Sequence, residues 1–224
     1  MRRFIAALGL VCVLGVTLAW AAEDKKDTKK EAGKKFSYID IQAKSNHKLA
    51  ADFHSTNYPG NNLSSLPQGE QTLEEVKFKI GEKLMQLGSM QIADMPDKIE
   101  GIKVDRKLAK LHILHATGYS TDDDTTIGEY TVTWEDDTTV TIPIVYGKDV
   151  MDWWCYEGNG EPTVGKVAWK GENEGAKTLN ATIRLYTMTW ENPKPDKKVK
   201  SIDYSTMKDT ICAPFCVAMT AEEK

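Results

Sequence analysis

The stretch Gly128-Glu129-Tyr130-Thr131-Val132-Thr133-Trp134, the polar break Glu135-Asp136-Asp137-Thr138, and the run Thr139-Val140-Thr141-Ile142-Pro143-Ile144-Val145-Tyr146 decide the fold class. Side chains two apart share one face of a strand. Tyr130, Val132 and Trp134 therefore share a face, as do Val140, Ile142 and Ile144, and the two runs predict a hairpin. Pro143 cannot donate to a ladder, so the second strand belongs at a sheet edge or carries a bulge.

The same period extends outward in both directions. Val76, Phe78 and Ile80 alternate with lysines. Residues 108–115 are apolar on both faces, which suits a central strand. Residues 36–41, 166–170, 181–190, 199–205 and 215–220 read as further strands, and no helical period of useful length follows residue 22. Many short strands with turn signals between them predict an all-β fold, a β-sandwich or jelly roll. Residues 47–69 stand apart: the segment is long, polar and punctuated by Pro59, Gly60 and Pro67. A connection of that length without its own strands is usually a functional or covering loop.

Residues 1–21 open with Arg2 and Arg3, continue through an apolar run and end in Ala19-Trp20-Ala21. That order is a secretory signal peptide, and the run falls short of the ~20 apolar residues of a comfortable membrane span. Cleavage after Ala21 predicts a secreted or periplasmic chain with no stable membrane insertion, with an uncleaved N-terminal anchor as the lesser alternative. Residues 22–35 are mostly lysines and acids without a large apolar residue, a charged disordered linker, and residues 36–222 then form a single β-sandwich domain. The formal net charge is −4, and with no basic stripe the chain is not expected to bind nucleic acid. Cys12 leaves with the signal, so Cys155, Cys212 and Cys216 remain. On a strand, Cys212 and Cys216 lie roughly 13 Å apart, beyond disulfide reach. Cys155 with Cys212 is the pairing to test, against three reduced thiols packed as small hydrophobes.

Candidate ligand-binding residues cluster in Gly147-Lys148-Asp149-Val150-Met151-Asp152-Trp153-Trp154. Adjacent strand residues face opposite ways, so one indole packs inward while the other points to solvent. An indole beside Asp149 and Asp152 offers a flat face for sugar C–H groups and acceptors for hydroxyls; the same pair can equally plug a sandwich corner. Trp190-Glu191-Asn192 sits at a strand end before Pro193 and Pro195, which force an extended exit. Loops at strand ends carry binding sites, so Trp190 and Asn192 join the candidates, with a rim seal as the plain alternative. Arg184 alternates among apolar residues and calls for a buried acid such as Asp203. His112 and His115 are three apart, face opposite ways on a strand and cannot chelate together. Asp122 and Asp124, with Asp123 and Thr125, form an oxygen-rich cluster that suits Ca²⁺, although charged hairpin tips are common. No Gly-x-Ser-x-Gly elbow, P-loop or His-Glu-x-x-His occurs, and nothing singles out the carboxylate pair that glycoside hydrolysis needs. Catalysis is not expected.

Three blocks carry a resemblance. They are the hairpin of residues 128–147 with Asp149-Val150-Met151-Asp152-Trp153-Trp154 after it, the run 183–196 with Ser201-Ile202-Asp203-Tyr204, and the closing Ala213-Pro214-Phe215-Cys216-Val217-Ala218-Met219-Thr220. Together they resemble the galactose-binding-domain-like β-sandwich modules of secreted bacterial proteins, of the kind called NPCBM-like. The resemblance implies a sandwich that binds carbohydrate without catalysis and fixes no ligand residues. Three function classes follow. The first is a glycan- or polysaccharide-binding module, the second an envelope protein that engages another protein, and the third a hydrolase. A shallow aromatic shelf favours the first, a flat apolar face the second, and a deep acidic pocket the third.

Overall fold

The computed structural model describes residues 34–54 and 57–224; the expected signal peptide and residues 22–33 of the expected linker lie outside them. Residues 34–224 group as one compact unit. Its strands are β1 (Phe36–Ile39), β2 (His47–Lys48), β3 (Gly69–Leu73), β4 (Val76–Ile80), β5 (Lys83–Gln86), β6 (Lys98–Arg106) and β7 (Lys110–Gly118). They continue as β8 (Thr126–Trp134), β9 (Thr139–Val145), β10 (Trp154–Cys155), β11 (Lys166–Gly171), β12 (Thr182–Glu191), β13 (Val199–Thr206) and β14 (Ala213–Glu222). One short helix, α1 (Glu174–Lys177), precedes β12.

The chain is an all-β sandwich. A four-stranded antiparallel sheet has the order β6-β13-β8-β9, and a larger one follows β10-β12-β7-β14-β5-β2. β7 runs beside β14 along its length, while β5 and β1 share the other edge of β14. The β8–β9 hairpin forms as the alternation predicts, with Thr133 opposite Thr139 and Pro143 on an edge strand.

Tyr130, Val132 and Trp134 turn inward with Ile202 and Tyr204 of the neighbouring β13, all fully buried. The Tyr130 and Tyr204 rings stack at 4.7 Å, and the Tyr130 hydroxyl meets His115 Nδ1 at 3.3 Å across the interface. His115 and its register partner Cys216 thus face the smaller sheet. Phe215, one residue along, faces the opposite way, where it packs on Phe53 and Trp153.

That second face is covered by the segment after β2, which buries Leu49, Phe53, Leu63 and Leu66, and by β4, whose Lys77 carbonyl accepts from the Thr220 hydroxyl at 2.7 Å. β7 and β14 are consequently buried on both sides, which is why residues 108–115 do not alternate. The long polar segment is therefore a covering loop with a short strand of its own.

Besides the two-residue β2 and β10, three strands escape the sequence pattern. β6 is broken in period by Gly101, which has φ +66° and sits next to a shift in pairing with β13. β3 is exposed along much of its length, and β5 is four residues with three buried in succession. Neither shows a period-two signal.

One side-chain expectation fails. Arg184 does not pair with Asp203: its guanidinium donates to the Gly160 carbonyl at 2.8 Å, while Asp203 pairs with Lys98 at 3.0 Å. Of the two cysteine readings the structure has the reduced one: Cys155, Cys212 and Cys216 are all free thiols, and Cys155 is not bonded to Cys212.

Candidate functional site

The Trp153–Trp154 step separates the two indoles by position. The Trp153 N–H donates to the Thr117 carbonyl at 2.9 Å and its carbonyl accepts from the Arg184 N–H at 2.8 Å, so the backbone is pinned between β7 and β12. Its ring goes inward, stacks on Phe53 at 4.7 Å and is 2% exposed. Trp154 begins β10 opposite Ile183 and remains half-buried. Its indole N–H donates to Asn61 Oδ1 at 2.9 Å, and Tyr58 meets its ring edge-on at 5.0 Å.

Asn61 is buried and fully used. Its Nδ2 donates to the Phe53 carbonyl at 2.8 Å, and Oδ1 also accepts from Asn173 at 3.2 Å. Asn173 caps α1 by accepting from the Ala176 N–H at 2.7 Å. Gly175 makes this approach possible, since a Cβ there would lie 2.8 Å from Asn61 Cβ. A capped helical turn, two asparagines and the covering loop therefore set the plane of Trp154.

A cavity of about 210 Å³ opens beside this indole, lined by Tyr58, Asn61, Asp152, Tyr156 and Leu179, with His54, Tyr119 and the edge of Trp153 at its base. Tyr156 and Leu179 are among the exposed large apolar side chains and form the rim. Asp152 Oδ1 accepts from the Trp154 N–H at 3.1 Å and Oδ2 from the Ser120 hydroxyl at 3.2 Å. Burial pushes its carboxyl up to about 6, against the pull of those donors and of Arg184. Near neutral pH the cleft thus presents aromatic faces, one largely ionised carboxylate and tyrosine hydroxyls.

Of the residues proposed from sequence, Asp152, Trp153 and Trp154 come together at this cleft, with Trp153 serving as core. The other proposed contacts lie elsewhere. Asp149 is buried, and its Oδ2 closes a turn by accepting the Val145 N–H at 3.0 Å. Trp190 pairs with Leu111, at the other end of β7 from Gly118, and its ring packs near Trp134. Asn192 is buried in hydrogen bonds to the Leu108 carbonyl and to the backbone of Lys194. Those three hold the fold and do not line the cleft. Asp122 and Asp124 are exposed, and among the described residues no group of three His, Cys, Asp or Glu is placed to hold a metal.

Sequence reasoning missed Tyr58, Asn61, Tyr119, Tyr156 and Leu179. The loop length after residue 47 was the one signal that pointed toward Tyr58 and Asn61. No protein-family model and no curated protein matches the chain.

Proposed function

We propose that this chain is an exported, non-catalytic module that binds glycan in the cleft beside Trp154. The observation that carries the proposal is a partly buried indole, bordering the cleft, whose orientation is fixed by Asn61. A sugar ring stacks its C–H face on such a surface, and a preorganised ring loses little freedom on binding. Asp152 and the Tyr156 hydroxyl supply hydrogen bonds at the edge.

Two further points support it. Asp152 is the one acidic residue among those lining the cleft, whereas glycoside hydrolysis uses two carboxylates; retention of a sugar suits the site better than cleavage. The signal-like residues 1–21 support a location outside the cytoplasm, where free polysaccharide is met, and an all-β sandwich is compatible with the resemblance to galactose-binding-like modules. Affinity is expected on the order of tens of micromolar to millimolar.

The test is a glycan and polysaccharide binding screen with wild type, Trp154→Ala and Tyr156→Ala, each checked by thermal melting. Binding lost in Trp154→Ala at an unchanged fold supports the proposal. If wild type binds no glycan, or Trp154→Ala binds as wild type does, the proposal fails.

A further inference from the structure

The cleft beside Trp154 carries charge of one sign. Asp152 is the acid in its lining, and no lysine or arginine stands with it among the described residues there. His54, at the base, adds no positive charge. Burial drives its imidazole down to about 3, so the ring is neutral near pH 7.

The Asp152 carboxylate reaches the solvent side of the cleft. Oδ1 accepts from the Trp154 N–H, whereas Oδ2 meets the hydroxyl of Ser120, an exposed residue, at 3.2 Å. Both donors are neutral, and a carboxylate has about four acceptor sites, so acceptor capacity remains. Arg184, whose field does reach the carboxylate, is committed elsewhere. Its guanidinium donates to the Gly160 carbonyl at 2.8 Å and lies over the Tyr186 ring at 5.3 Å. The acid is thus partly stripped of water without a hydrogen-bonded counter-ion, and that burial raises its carboxyl to about 6. A charge held in this way is costly until a cation joins it.

The surroundings are aromatic. Tyr58 and Trp154 meet at 5.0 Å with their planes 68° apart, so the two rings make adjoining walls, and Tyr119 and Tyr156 add to the lining. The Tyr119 hydroxyl is spent on the His54 carbonyl at 2.8 Å, which leaves its ring. Burial raises both Tyr119 and Tyr156, and the charge of Asp152 raises them further. The carboxylate therefore lies within electrostatic reach of both phenols. The face of an aromatic ring is negative and attracts a cation, more strongly where water is partly excluded. Several rings around one acid suit an ammonium group. A neutral hydroxyl would leave the carboxylate uncompensated, and an anion would be repelled by it.

Resting on the glycan reading of this cleft, we infer that its ligand carries a cationic amine. It is a sugar with a free amino group, whose ring stacks on Trp154 while its ammonium sits among the tyrosines and donates to Asp152 Oδ2.

The experiment follows the Trp154 indole N–H of the full chain by NMR at pH 7. Glucosamine, N-acetylglucosamine, glucose and choline are titrated into wild type and Asp152→Asn, with thermal melting as the check on folding. Glucosamine is expected to bind wild type about tenfold more tightly than glucose or N-acetylglucosamine, the order of one partly desolvated cation–π contact. In Asp152→Asn that ratio is expected to fall close to one. If the neutral sugars bind wild type as tightly as glucosamine, the amine inference fails and the glycan reading stands. A preference that survives unchanged in Asp152→Asn also overturns it, because Asp152 would not be what reads the amine. Choline moving the signal where no sugar does keeps the ammonium site and removes the glycan reading. If none of the four moves it, both fall.

Discussion

The Trp154 indole N–H donates to Asn61 Oδ1 at 2.9 Å, joining β10 to a loop residue 93 positions earlier in the chain. Because Asn61 Oδ1 also accepts from Asn173, the cleft's main aromatic surface is tied to the cap of α1. Replacing Asn61 by Ala leaves the Trp154 and Asn173 donors without this acceptor and is expected to cost about 2–4 kcal/mol. Asn173→Ala, which removes the cap as well, is expected to cost about 1–2 kcal/mol. Urea denaturation of both single variants and the double variant checks this, since residues in one network are non-additive. Strict additivity would sever the link.

The two tryptophans are expected to behave oppositely. Trp153→Ala opens a cavity against Phe53 and Phe215 and is expected to destabilise by about 3–5 kcal/mol. Trp154→Ala, losing one hydrogen bond and partial packing, is expected to cost about 1 kcal/mol and to abolish glycan binding. Chemical denaturation alongside titration separates the two. Equal losses of stability would show that neither ring is free for a ligand.

Asp152 is expected to lower stability at neutral pH. Its carboxyl titrates near 6 when folded and near 4 when unfolded, so between those values the folded state holds a proton that the unfolded state has released. Stability from this group is fully present below about pH 4 and is lost as pH rises through 6. Asp152→Asn is therefore expected to stabilise by about 1–2 kcal/mol at pH 7 and by little at pH 4. Melting temperatures at the two pH values test it, and a stabilisation that is larger at the acid value contradicts it.

His54 and His115 push the other way. Burial lowers both imidazoles to about 3, while the unfolded chain binds their protons below about 6.5. Their contribution is present above that value and is lost as pH falls toward 3. The ring carbon signals of these two residues are expected to stay flat across about pH 5–8, where an ordinary histidine titrates. An inflection near 6.5 at either position would place its ring in water.

The thiols should differ sharply in reactivity. Burial pushes Cys212 and Cys216 up to about 12, whereas Cys155 is partly exposed. A thiolate is the reacting form, so iodoacetamide is expected to label Cys155 in the native protein and the other two only on unfolding. Mass mapping of the labelled peptides decides it, and early labelling at Cys216 would mean that the sandwich interior opens.

What could be read in advance followed from locality. Val76–Ile80 and the β8–β9 hairpin were legible because each has one face on the core and one on solvent, and that difference is written residue by residue. β6 was not, because Gly101 and a pairing shift interrupt its period within nine residues. For the site, alternation predicted that one indole turns in and the other out, but not which.

By itself the sequence determined the all-β class, an edge or bulged strand for Pro143, a functional or covering loop after residue 47, and the opposed faces of Trp153 and Trp154. Tertiary structure decided that Trp153 is the buried one, because Phe53, a hundred residues away in the chain, stacks on it. It also decided that Asp152 alone among the proposed acids reaches the cleft, while Asp149 closes a turn and Trp190 and Asn192 hold the far end of β7. A side chain's periodicity is set by its own backbone, whereas its hydrogen-bond partners come from whichever distant strands and loops the fold brings beside it.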